Sequence, residues 1–170
     1  GSCPDADGDY DVDGEDREDN DSCRRGRRGR RRRGRGSDFG MFTAMAPMAV
    51  AANGIIPLVN NNCICMGGGF AVNSGMIAIE ESGTYLATYT VRIPEGGELA
   101  TTTTLNVNDA SQSSAVAVVG GTGPNCFTAQ SIFEVADHAT VALRTSEAIN
   151  VTDTAVQPLF TLSLVRLDED

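Results

Sequence analysis

Residues 83–94, GTYLATYTVRIP, alternate strictly between two faces. Tyr85, Ala87, Tyr89, Val91 and Ile93 fall on one face; Thr84, Leu86, Thr88, Thr90 and Arg92 fall on the other. A period of two with one apolar face predicts a half-buried β-strand. Threonine, tyrosine and valine are also the side chains that pack best on a pleated surface. A shorter apolar run, residues 76–79 (MIAI), precedes it across Glu80-Glu81-Ser82-Gly83, a polar turn closing on glycine. This hairpin is the predicted centre of the fold.

Working outward, the same grammar recurs. Strands are expected over 40–46, 54–59, 63–66, 70–73, 76–79, 84–93, 101–107, 115–119, 127–135, 140–145, 148–151 and 159–167. Turn chemistry separates most of them: Asn53-Gly54, Gly67-Gly68-Gly69, Pro94-Glu95-Gly96-Gly97 and Asp137-His138. Many short strands without a helical period imply an all-β sandwich or barrel.

The chain has 170 residues and a formal net charge of −10. Its first 37 residues hold almost no apolar side chains, which places one β domain at 38–170. Within that domain only Arg92, Arg144 and Arg166 are basic, and Trp is absent, so nucleic acid is not an expected partner. No stretch is long and apolar enough to span a bilayer as a helix. No signal peptide is legible, and Gly1-Ser2 reads as a remnant of tag removal.

The leading segment divides in two. Residues 3–23 carry alternating Asp5, Asp7, Asp9, Asp11 and Asp13, followed by Gly14. Asp9, Asp11 and Asp13 have the spacing of the first ligands of a calcium loop, but position twelve is Asn20 where such a loop needs glutamate. The alternatives are a solvated acidic run and a calcium site, with calcium as the cofactor it would take. Residues 24–36, RRGRRGRRRRGRG, hold nine arginines. They read either as a flexible linker or as a binder of anionic polymers.

Two strands have apolar residues on both faces: 115–119 (AVAVV) and 159–167 (LFTLSLVRL). A sandwich strand turns only one face to the core, so the other needs a cover, and another copy of the chain supplies one. Val116, Val118, Phe160, Leu162 and Leu164 are the expected contacts.

The blocks GTYLATYTVRIP, TTTTLNVN (101–108), AQSIFEVADHATVALRTS (129–146), INVT (149–152) and PLFTLSLVRLD (158–168) together resemble the C-terminal globular domain of BclA-like bacterial collagen-like exosporium glycoproteins. That resemblance covers most of 38–170. It implies a two-sheet antiparallel jelly roll of the complement-1q and tumour-necrosis-factor type, assembling as a homotrimer. It also implies a non-catalytic structural role on the outer surface of a spore, hence an extracellular location. The related reading is an adhesion head whose loops bind a glycan or host-surface ligand. The collagen-like stalk of that family is replaced here by the acidic and Arg-Gly blocks.

Five cysteines, Cys3, Cys23, Cys63, Cys65 and Cys126, leave the count odd. Buried thiols, a disulfide from Cys63 or Cys65 to Cys126, and a zinc site formed by these three with His138 are the competing arrangements. His138, the only histidine, lies in a turn with no nucleophile motif beside it, so catalysis is not expected. Asn150-Val151-Thr152 matches a glycosylation sequon, and Thr101–Thr104 read as a strand with one hydroxyl face.

Overall fold

The computed structural model describes residues 22–23, 38–60, 65–66, 69–152 and 157–168. Among these residues thirteen strands form: β1 (Ser22–Cys23), β2 (Phe39–Ala44), β3 (Met48–Val50), β4 (Cys65–Met66), β5 (Phe70–Asn73), β6 (Met76–Ile79) and β7 (Gly83–Ile93). They continue with β8 (Glu98–Val107), β9 (Ala110–Thr122), β10 (Asn125–Val135), β11 (Ala139–Thr145), β12 (Ile149–Val151) and β13 (Phe160–Asp168). No described residue is helical.

The strands make two antiparallel sheets. One has the order β10-β7-β13-β2-β4, the other β1-β5-β6-β11-β8-β9, and β12 with β3 forms a small third pair. Strands adjacent in a sheet are mostly distant in sequence: β7 lies between β10 and β13, and β11 between β6 and β8. This is a jelly-roll sandwich of the tumour-necrosis-factor type.

The predicted strand is an interior strand of its sheet, but the predicted hairpin does not form: β6 lies in the other sheet, between β5 and β11, so the turn at 80–82 carries the chain from one sheet to the other. β7 pairs with β10 along its whole length and with β13 on its other side. Its burial alternates residue by residue, with Tyr85, Ala87, Tyr89, Val91 and Ile93 all in the core. Across the sandwich, Leu105, Val107, Val141 and Leu143 face them from the second sheet.

Residues 54–59 depart from expectation. They run as an irregular segment touching the sheets at single bridges, Ile55 to Arg144 and Val59 to Thr43. Gly54 N–H donates to the Ala51 carbonyl in a turn, and Pro57 has no N–H to give a ladder.

The threonine run also differs. Thr101 and Thr103 point into the core, and only Thr102 and Thr104 face outward. The buried hydroxyls have partners. Thr101 Oγ1 lies 2.6 Å from Thr145 Oγ1, and Thr103 Oγ1 lies 3.1 Å from the Tyr89 hydroxyl.

Candidate functional site

The outer face of the β10-β7-β13-β2-β4 sheet is the surface that calls for an explanation. Strand registers place Ile132 opposite Leu86, Leu86 opposite Val165, and Val165 opposite Phe39. Four apolar side chains thus form one row across four strands. Ile132 is 61% exposed and Phe39 36%. Isolated exposed apolar residues are ordinary on a protein surface; a contiguous row is not.

The rows beside it carry no charge. Gln130, Thr88, Ser163 and Met41 make one, and Thr128, Thr90, Thr161 and Thr43 the next. Thr90 Oγ1 and Thr128 Oγ1 lie 3.3 Å apart. Charge appears only at the margins, with Glu134 beyond the apolar row and Arg92 beyond the threonines. A broad uncharged face of small and apolar side chains can be dehydrated cheaply, because no ion has to leave water.

A second apolar patch lies on β9, the edge strand of the other sheet. Val116 and Val118 project outward at 41% and 73% exposure. They pair with Thr104 and Thr102 of β8. β9 packs beside β10, the edge strand of the first sheet.

Phe160, Leu162 and Leu164 do not belong to either patch, contrary to expectation. Each has no exposed surface in the single chain, so its side chain cannot meet another copy. Alternation on β13 turns these three inward and Thr161, Ser163 and Val165 outward.

At the end of the sheet, Arg166 anchors the entry of the chain into the domain. Its Nη1 lies 3.3 Å from the Asp38 carboxylate, and Nε donates to the Ser82 carbonyl at 3.1 Å. Both side chains of the pair are close to 90% buried. The Tyr85 hydroxyl donates to the Glu81 carbonyl nearby, and burial pushes its pKa well above the usual phenol range.

The cysteine expectations are revised by topology. Cys126 is a free, exposed thiol at the start of β10. Cys65 lies on β4, at the opposite edge of the same sheet. Four strand spacings of about 4.8 Å hold them apart, whereas a disulfide needs Cα atoms within about 7 Å. A Cys65–Cys126 bridge within one chain is therefore excluded. The zinc set fails similarly. Cys126 lies near the start of β10 and His138 follows its end, and the strand between them, at about 3.3 Å per residue, spans roughly 30 Å. His138 Nδ1 lies 3.7 Å from the Asp137 carboxylate, and both side chains are well exposed. Among the described residues no cluster of three or more His, Cys, Asp or Glu could hold a metal. Asp9, Asp11, Asp13, Cys3 and Cys63 lie outside the described residues, and Cys23 is described only as a strand position.

Comparison with solved structures agrees with the architecture. A crystal structure of murine APRIL at pH 5.0 superposes with a TM-score of 0.60, covering 78% of this chain and 100% of that chain at 9% identity. A second, at pH 8.0, gives 0.58 over the same shares at 11% identity. At such identities the likeness is one of fold. No family model and no curated protein sequence matches the chain. No helix among the described residues is long and apolar enough to cross a membrane.

Proposed function

We propose that this chain is a structural, non-catalytic head that assembles as a homotrimer on the surface of a bacterial spore. The observation that carries the assembly is the Ile132–Leu86–Val165–Phe39 row, left wet by a single copy.

The presence of two unlike patches favours a ring. A twofold dimer matches one patch against itself and leaves the other in water. A heterologous contact sets the β9–β10 edge of one copy, with Val116 and Val118, against the Phe39–Leu86–Val165 face of the next. Closing that contact on itself gives a cyclic oligomer. Three is the number implied by the resemblance to exosporium collagen-like proteins, as is the spore surface. Cyclic symmetry brings every chain into its domain, at Asp38, on the same end of the axis. The segments before residue 38 then leave side by side.

The test is to charge the row. Leu86→Asp is partly exposed in a single copy, so the domain should keep its β circular-dichroism spectrum while its sedimentation falls to that of one chain. If Leu86→Asp sediments as the parent does, the row is not the contact.

A further inference from the structure

Asn53 is the one asparagine in the chain that is followed by glycine. In an open chain such a pair is the most labile of amide sites. The glycine nitrogen, having lost its proton to hydroxide, attacks the side-chain carbonyl carbon. An N–Cγ bond forms, the Cγ–Nδ2 bond breaks, and ammonia leaves behind a five-membered imide. Water then opens the ring at either carbonyl, to aspartate or to isoaspartate. Glycine favours the closure because no side chain hinders its nitrogen.

The fold opposes the first step. Asn53 is exposed, so water reaches its amide. Four hydrogen bonds nevertheless fix the backbone on either side of the peptide that must turn. Gly54 N–H donates to the Ala51 carbonyl at 2.9 Å, which engages the attacking nitrogen itself. Asn53 N–H donates to the Thr145 carbonyl at 2.8 Å, and Thr145 N–H donates to the Gly54 carbonyl at 3.1 Å. Arg144 Nη1 donates to the Asn53 carbonyl at 2.9 Å. Asn53 has a φ of 65°, the left-handed value that a type II turn needs at its third residue and that asparagine tolerates. Bringing the Gly54 nitrogen to Asn53 Cγ means breaking these bonds first.

The turn also holds something in place. Just beyond it, Ile56 N–H donates to the Leu143 carbonyl at 2.9 Å, and Ile55 bridges to Arg144. Ile56 and Leu58 have no exposed surface. Isoaspartate routes the main chain through the side chain and lengthens it by one carbon. The bonds to β11 before and after residue 53 can then no longer all be made in register.

We propose that Asn53–Gly54 is a conditional modification site, closed to imide formation in the folded domain and open to it only when the 51–54 turn detaches from β11. Water is the co-reactant. The mark is irreversible, and it loosens the segment that carries Ile56 and Leu58 into the core.

The test uses the full chain, held in mildly alkaline buffer and sampled over days, with conversion of Asn53 read by peptide mapping and tandem mass spectrometry. Folded chain should convert at least about thirtyfold more slowly than guanidinium-unfolded chain in the same buffer. Below the unfolding transition, added denaturant should leave the rate nearly flat, because a local opening exposes little surface. Arg144→Met, which withdraws one of the four bonds, should raise the rate about threefold or more. Chain carrying isoaspartate at 53, separated by its added negative charge, should unfold at a lower denaturant concentration than the parent. Equal rates in folded and unfolded chain overturn the proposal. So does a rate that climbs with denaturant in step with global unfolding, or an Arg144→Met rate equal to the parent's. An unchanged midpoint for the marked chain overturns the loosening. If Arg144→Met does not fold, the denaturant series decides alone. Asn53 is bonded to β11 of the second sheet, whereas the apolar row lies on the first. A monomer with a protected Asn53 therefore sinks only the assembly, and a trimer with a labile one sinks only this site.

Discussion

The hydroxyl of Tyr89 on β7 crosses the sandwich to Thr103 on β8, lying 2.9 Å from its carbonyl oxygen and 3.1 Å from its Oγ1. It also lies 3.0 Å from the Ala115 carbonyl of β9. One side chain therefore joins β7 of one sheet to two strands of the other, through polar atoms buried in an apolar layer. Removing the oxygen leaves Thr103 Oγ1 and the facing carbonyls without that partner. Tyr89→Phe should destabilise the domain by about 1–2 kcal/mol, read from urea unfolding at unchanged m-value. No loss would show that the bridge adds nothing beyond ring packing.

The same burial predicts an alkaline limit. Tyr89 and Tyr85 both have phenol pKa values raised by desolvation. In the unfolded chain a phenol ionises near pH 10. Above that pH the unfolded state binds fewer protons than the folded one, so stability falls as pH rises; below it the contribution is fully present. Tyrosinate absorbance from these two residues should appear together with loss of the β spectrum. Free titration of all tyrosines near pH 10, with the spectrum intact, would contradict this.

Arg166 and Asp38 form a pair with side chains 12% and 13% exposed. Replacing the arginine with a neutral chain of similar length withdraws a charge from a carboxylate that is largely out of water. It also removes donors from the Ser82 carbonyl. Arg166→Met should cost roughly 2–3 kcal/mol, somewhat less than a fully buried pair. Thermal unfolding of the parent and variant at pH 7 checks it; an unchanged midpoint would show the pair to be dispensable.

Gly123 follows β9, where a bridge joins it to Glu95. A methyl group on its α-carbon would fall inside contact distance of the Ile93 and Pro94 carbonyl oxygens, which are backbone and cannot rotate away. Gly123→Ala should destabilise by more than about 2 kcal/mol. Gly120, on β9 itself, has open space around it, so Gly120→Ala should be tolerated much better. Equal unfolding midpoints for the two variants would refute the crowding.

Strand positions were legible because period-two patterning is local. The alternation of residues 83–94 is reproduced side chain by side chain in the burial of β7. Lateral order was not legible. Nothing in the chain places Phe39 beside Val165, or Val165 beside Leu86, until the jelly-roll path brings distant segments together. For that reason the inward set Phe160, Leu162 and Leu164 was mistaken for a contact surface, while Leu86, Ile132 and Phe39 went unmarked. Thr101 and Thr103 are a related case: one hydroxyl face is expected of the run, and a second, inward one is tolerated because Thr145 and Tyr89 arrive from elsewhere in the chain to satisfy it.

The apolar row across β10, β7, β13 and β2 predicts association before anything else. Sedimentation equilibrium of the full chain at micromolar concentration tests this directly. The account predicts a single species of three times the 17.8 kDa chain mass, insensitive to dilution across that range. A species of 17.8 kDa, with the domain folded, would contradict it.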